Sequence, residues 1–263
     1  MKKTYNRILT FLKYRDLFFQ LIARDIKIKY RKSILGYLWS VLNPLLTMIV
    51  LVIVFSNMFA RGVPNFSVYL LTGQLLFNFM VISTSRALSS VVGNASLLKK
   101  VYVPKYIFTL SVVTSELITY FFSLGALIVV ILFTGAPVTW RYIFIIIPII
   151  EVYIFCTGIG LFLAQAYVFF RDVEYIWSVI TTAWLYLSAI FYPVSVLPGK
   201  IYFLVTNFNP MYIYIAMFRN FTIGSPNMGS LNLAIHGAGF SCLALLIGFI
   251  SFSYSKKRFI LYM

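Results

Sequence analysis

Acidic side chains are scarce in this sequence. Only six occur (Asp16, Asp25, Glu116, Glu151, Asp172 and Glu174) against 22 lysines and arginines. Hard cations want several oxygen ligands, and Asp172 and Glu174 are the only near pair, with Arg171 beside them. They read as a helix start with an acidic cap rather than a metal site. Histidine is limited to His236, and the two cysteines, Cys156 and Cys242, lie inside apolar runs without metal-ligand spacing; both read as small buried hydrophobes. Phosphate-binding loops are missing too. No G-x-x-x-x-G-K-[ST] occurs, the pair Gly199-Lys200 lacks the earlier glycine, and no G-x-G-x-x-G opens a helix. These absences leave no catalytic residues, no metal and no bound cofactor to expect, and make the chain a non-enzyme.

Long apolar runs are what the sequence has instead. Of the 263 residues 61% are hydrophobic and 11% charged, where soluble domains run at about 25% charged. At 1.5 Å per residue, roughly 20 residues cross the ~30 Å hydrocarbon core. Six runs qualify as spans, at about 34–60, 67–92, 107–133, 142–168, 175–191 and 231–254. The expected fold is all-α and integral to the membrane, with residues 1–33 as a cytoplasmic segment, 34–255 as the transmembrane domain and 256–263 as a basic tail. No apolar core of a signal peptide lies in residues 1–33, so no cleaved leader is expected.

The net charge of +16 flanks the apolar runs, which suits anionic lipid and not nucleic acid. Residues 1–33 carry ten lysines and arginines; with Lys99, Lys100, Lys105, Arg171, Lys256, Lys257 and Arg258 that makes seventeen on one side. The other side has four: Arg61, Arg141, Lys200 and Arg219. The richer side is cytoplasmic by the positive-inside rule, and both termini with it. Phe18, Ile22, Ile26 and Tyr30 recur every fourth residue, opposite Asp16, Gln20, Arg24, Lys27 and Arg31. That is an amphipathic helix suited to the inner leaflet. The alternation Ile26–Tyr30 also fits a strand, but a lone strand has no partner. Between runs five and six, Ile201–Phe208 and Met211–Phe221 are each too short to span and are divided by Asn209-Pro210. They read as a re-entrant outer hairpin, or as an apolar surface loop.

Three ionisable residues fall within spans, where each needs a partner. Arg86 sits ~9 Å and Glu116 ~14 Å from the same inner surface, so they can pair; the alternative is an anionic head group on Arg86. Glu151 faces a cavity or proton path, or is protonated and bonded to a backbone carbonyl. Trp177, Trp184 and Phe191 recur every seventh residue on one face of run five. They either pack between helices or line a passage, where aromatic faces suit the C–H faces of sugars.

Four stretches together resemble a known family. They are Ala23–Leu46 (ARDIKIKYRKSILGYLWSVLNPLL), Leu97–Lys105 (LLKKVYVPK), the stretch holding FFRDVEYIW and FYPVSVLP, and Asn209–Gly224 with its NP and FRNFTIG. The chain resembles the permease subunits of ABC type-2 exporters of O-antigen, teichoic acid and capsule (Wzm-like). The tail departs from the family, since no acidic residues follow Lys256-Lys257-Arg258. The resemblance implies a homodimer in the cytoplasmic (inner) membrane, paired with two copies of a separate ATPase that holds ATP-Mg. It implies outward movement of a lipid-linked glycan. By match, Arg24, Asp25, Lys29, Arg31, Lys99, Lys100 and Lys105 would face the ATPase and inner leaflet. Tyr192–Gly224, with Tyr192, Pro193, Asn209, Pro210 and Arg219, would close the outer side. Three other readings compete: a proton-coupled secondary carrier using Glu116 or Glu151, against which no inverted repeat is evident; a membrane-bound transferase, against which the carboxylates are too few; and an ABC type-2 exporter of drugs rather than glycans, which the short loops and the wording of the motifs disfavour.

Overall fold

The computed structural model describes residues 12–31, 33–59, 63, 65–100, 103–224 and 230–255; Arg61 and the basic tail 256–263 lie outside them. Among the described residues every regular element is helical: α1 (Arg15–Tyr30), α2 (Trp39–Phe59), α3 (Phe66–Ser89), the short α4 (Ala95–Lys100), α5 (Tyr106–Thr134), α6 (Ile146–Phe169), α7 (Val173–Leu187), α8 (Gly199–Phe208), α9 (Pro210–Thr222) and α10 (Ser230–Ser255). With no water in the bilayer core, a lone segment satisfies its backbone only as a helix.

Five of these are long and apolar enough to cross a membrane: Gly36–Phe59, Phe66–Ser89, Tyr106–Thr134, Trp140–Phe169 and Leu231–Tyr254. All five coincide with expected spans to within three residues. The run expected at 175–191 differs. Its helix stops at Leu187 after 15 residues, which covers only ~22 Å. Ser188 leaves helical geometry and Ala189 takes a left-handed φ of 48°, a conformation a non-glycine residue adopts only at some cost. The chain then turns into α8 and α9, which bend by 80° at Asn209. The bend follows from sequence: Asn209 is extended, its side chain accepts the N–H of Tyr212, and Pro210 occupies the first helical position, where its missing donor costs nothing.

Helix α3 is the hub. Most of its side chains are buried, whereas α2 buries only Met48. It packs against α2, α5, α6, α7 and α9. Helices α6 and α10 make the closest contact. A Cβ placed on Gly158 would run into the backbone of Ala244 and Leu245, and one on Gly248 into the Gly158 carbonyl. Small residues of this kind let transmembrane backbones touch.

Helix α1 buries Phe18, Leu21 and Ile22 against Val103, Ile107 and Phe108 at the start of α5, with Ile26 and Tyr30 half-buried. Its inward face is therefore centred nearer residues 18, 21, 22 and 25 than the fourth-residue pattern suggested. One further expectation is corrected, and another, the acidic helix start at Asp172 and Glu174, holds except for its cap bond. Cys156 is buried but Cys242 is exposed. Asp172 stands at the N-cap of α7 without making a side-chain cap bond; Glu174 accepts the Tyr167 hydroxyl instead (3.2 Å), and Arg171 lies over the Tyr167 ring.

Candidate functional site

A groove of about 410 Å³ runs between α2, α3 and α5 and ends at the turn after α7. Its polar lining comes from four helices: Lys29 on α1, Ser40, Asn43 and Thr47 on α2, Gln74 and Asn78 on α3, and Glu116, Thr119 and Ser123 on α5. Tyr30, Trp39, Phe79, Tyr120 and Phe191 supply aromatic walls. Gln74, Asn78 and Arg86 recur on one face at multiples of four, in a helix otherwise almost wholly buried. Polar side chains at this depth are expensive in hydrocarbon and face protein or a water-filled cavity. Of the lining, the sequence singled out Phe191, Glu116 and, for another role, Lys29, but not the stripe of amides and hydroxyls.

At one end of the groove sits a cluster of three charges. Glu116, 3% exposed, pairs with Arg86 and, at 2.9 Å, with Lys29. The pair expected from helix depths is present. Lys29, expected to face the ATPase and the inner leaflet, joins it because α1 lies on α5 and carries the lysine over the carboxylate. The two cations keep 31% and 38% of their side chains exposed, so the cluster as a whole carries a surplus positive charge, of which Lys29 and Glu116 line the groove.

At the other end, Ile190 and Phe191 close the lining, and Phe191 stacks on Phe55 with ring centres 5.3 Å apart. The turn that carries them is tied down twice. The Tyr69 hydroxyl donates to the Ala189 and Tyr192 carbonyls (3.2 and 2.8 Å). Arg219, from α9, donates to the carbonyls of Ala189 (3.0 Å), Ile190 (3.1 Å) and Tyr69 (3.1 and 3.3 Å). Its guanidinium lies 3.4 Å from the Tyr69 ring centre. Arg219 is 4% exposed, and no carboxylate among the described residues pairs with it. A cation read from sequence as an outer-loop charge is thus a buried one.

The remaining residues fall outside the groove. Trp177 donates to Thr84 (3.1 Å) and Trp184 to the Asn209 side chain (2.8 Å), so both indoles pack between helices. Asn209 also donates to the Leu187 carbonyl (2.9 Å), and Pro210 starts α9. Tyr192 bonds back to the Tyr186 carbonyl, with Pro193 leading into the short turn Val194–Val196. Glu151 Oε2 is buried with no partner among the described residues. It lies against Gly237, where a side chain would overlap it, and beside Tyr214; the backbone carbonyl of Glu151, not its carboxyl, takes the Ser241 hydroxyl (2.8 Å). Asp25 is buried and held by Arg24, which also reaches Asn94 (3.0 Å). Arg31, Lys99 and Lys100 are exposed. Lys105 is half-buried, and burial holds its ammonium below the usual lysine range.

Residues 16–222 match the family described as ABC-2 type transporter. The chain belongs to that family. Its members are transport permeases, not catalysts, and the chain is a multi-pass membrane protein. It is 28% identical over 247 residues to the O-antigen export system permease protein RfbA of Klebsiella pneumoniae, covering 93% of each chain. To the protein of the same name from Myxococcus xanthus it is 30% identical over 187 residues, 71% of this chain and 72% of that one. To the capsule polysaccharide export inner-membrane protein CtrC of Neisseria meningitidis it is 26% identical over 192 residues, 69% of each.

Proposed function

We propose that this permease is the membrane-spanning subunit of an ATP-driven exporter that moves a lipid-linked polysaccharide, of the O-antigen, capsule or teichoic acid kind, outward across the inner membrane. The observation that carries the reading is the groove: amides and hydroxyls interleaved with aromatic rings along the membrane depth, beside a cationic cluster. Carbohydrate offers hydroxyls to the amides and C–H faces to the rings. The names of the relatives point to the same cargo.

The rest of the machine follows from that reading. A groove open on one side is completed by a second copy, so the exporter is a homodimer with the two grooves facing. ATP-Mg is held by two copies of a separate ATPase, consistent with a sequence that has no phosphate-binding loop. Residues 1–33, with α1 as an amphipathic helix at the inner surface, and the basic residues Arg24, Arg31, Lys99, Lys100 and Lys105 face that partner and the inner leaflet. Asp25 turns inward instead. Residues 34–255 form the transmembrane domain, with α8 and α9 as a re-entrant hairpin at the outer side. Both termini, including the tail 256–263, are cytoplasmic.

The test is to purify the chain with its ATPase, reconstitute both in vesicles, and measure ATP hydrolysis as lipid-linked glycan is added. Stimulation, with two permeases and two ATPases per particle, supports the exporter. A chain that purifies alone and moves solute down a proton gradient in a Glu151-dependent way shifts the assignment to a proton-coupled carrier, the reading favoured by Glu151 Oε2, which has no partner among the described residues.

A further inference from the structure

The geometry points to Arg219 as a positioning residue: together with Tyr69 it holds the non-helical turn 188–192 against α3, and so fixes how far apart the walls stand at the Phe191 end of the groove.

Three observations converge on this. First, Arg219 makes its hydrogen bonds to main chain. Its guanidinium serves the carbonyls of Ala189 and Ile190, which the end of α7 has left without helical partners, and the carbonyl of Tyr69 on α3. One planar cation therefore joins three segments: α9, the turn, and the hub helix. A planar fork of five donors is suited to several acceptors at once; a lysine ammonium, a point charge on a flexible stem, is not. Second, the site is cut to fit this side chain. Gly73, inside α3, leaves the room. A Cβ there would lie 2.7 Å from Arg219 Nη2 and 3.3 Å from the Ile190 side chain. The Tyr69 ring covers the guanidinium at 3.4 Å, a favourable placement for a desolvated cation. Third, the segment held is the one that lines the groove. Ile190 and Phe191 are lining residues, and Ala189 sits in a left-handed conformation that persists only where its surroundings impose it. The Tyr69 hydroxyl reaches the same turn independently, through Ala189 and Tyr192.

The inference rests on the glycan-export reading only for its consequence, the bore at one end of the path. The clamp itself is tested without ATPase or glycan. A single cysteine reporter is placed at Phe191 (F191C), and in a second protein at Ser40 (S40C) on α2, both in the Cys156→Ala, Cys242→Ser background. The full chain is labelled in opened membrane vesicles with a charged maleimide, so that access does not depend on which face is outside. Tyr69→Phe removes only the hydroxyl and keeps the ring; Arg219→Lys keeps the charge and loses the fork. Each is expected to raise the labelling rate at 191 about threefold or more, the factor that loss of a hydrogen bond allows in a local opening. The rate at 40 should not change, and Tyr69→Phe should accumulate in the membrane at the parent level. An unchanged rate at 191 in either variant overturns the inference. So does an equal rise at both reporters, which would mean general loosening. Labelling as expected from a chain that fails to export glycan leaves the clamp standing and removes the transport reading.

Discussion

At the scale of single residues, Glu116 carries the most weight. One buried carboxylate answers two partly exposed cations, so either cation can be lost while the other still compensates it. Lys29→Met and Arg86→Met are each expected to cost about 1 kcal/mol of stability. Both together strand the carboxylate, and breaking a buried pair costs about 3–5 kcal/mol. Thermal unfolding of the purified permease in detergent should show the double variant losing clearly more than the sum of the singles; simple additivity would mean that the cations do not share Glu116. Half of this cluster was legible in the sequence. Arg86 and Glu116 sit in two helices whose rise per residue is fixed, so depth alone placed them within reach. Lys29 was not legible, since its role depends on how α1 rests on α5. Arg219 was placed at the outer side by the resemblance, but its partners were not legible for a similar reason: only the folded turn shows the carbonyls that await it.

At the scale of elements, five spans were readable because a run of twenty apolar residues has few other destinies. The sixth was not, since hydropathy continues through Ser188 and Ala189 although the helix does not. The bend at Asn209 was marked by its own residues. Asn209→Ala removes the cap on Tyr212, the acceptor for Trp184 and the donor to Leu187. Losing the cap alone costs about 1 kcal/mol, and Trp emission should shift as the Trp184 indole loses its bond; an unchanged spectrum and midpoint would deny Asn209 this role. The contact of α6 with α10 gives a sharper contrast on one helix. Gly248→Leu drives a side chain into the Gly158 carbonyl and should lower the thermal midpoint strongly, with overpacking costing about 1–3 kcal/mol or more. Gly239→Ala, where nothing lies within 4 Å, should leave it unchanged or raise it, since alanine improves on glycine in a helix by up to about 1 kcal/mol.

At the scale of the whole molecule, α3 separates two demands on one helix: most of its circumference holds the bundle together, and the stripe through Gln74 and Asn78 serves the groove. Function and stability should therefore part company there. Gln74→Leu with Asn78→Leu is expected to leave the amount of protein in the membrane near the parent level while export of polysaccharide falls, read as cell-surface glycan per unit of permease. Equal loss of both would make the stripe structural. The chain's heaviest helix pairing also has a temporal side. Helix α6 leaves the ribosome well before α10, and until α10 arrives the notch at Gly158 and the carboxyl of Glu151 have only lipid or earlier helices beside them. Assembly of this permease therefore stays incomplete until its last described helix is translated. Nascent chains stalled before Ser230 are expected to be short-lived, cleared by membrane proteases faster than the finished protein, as a pulse-chase of truncated forms would register.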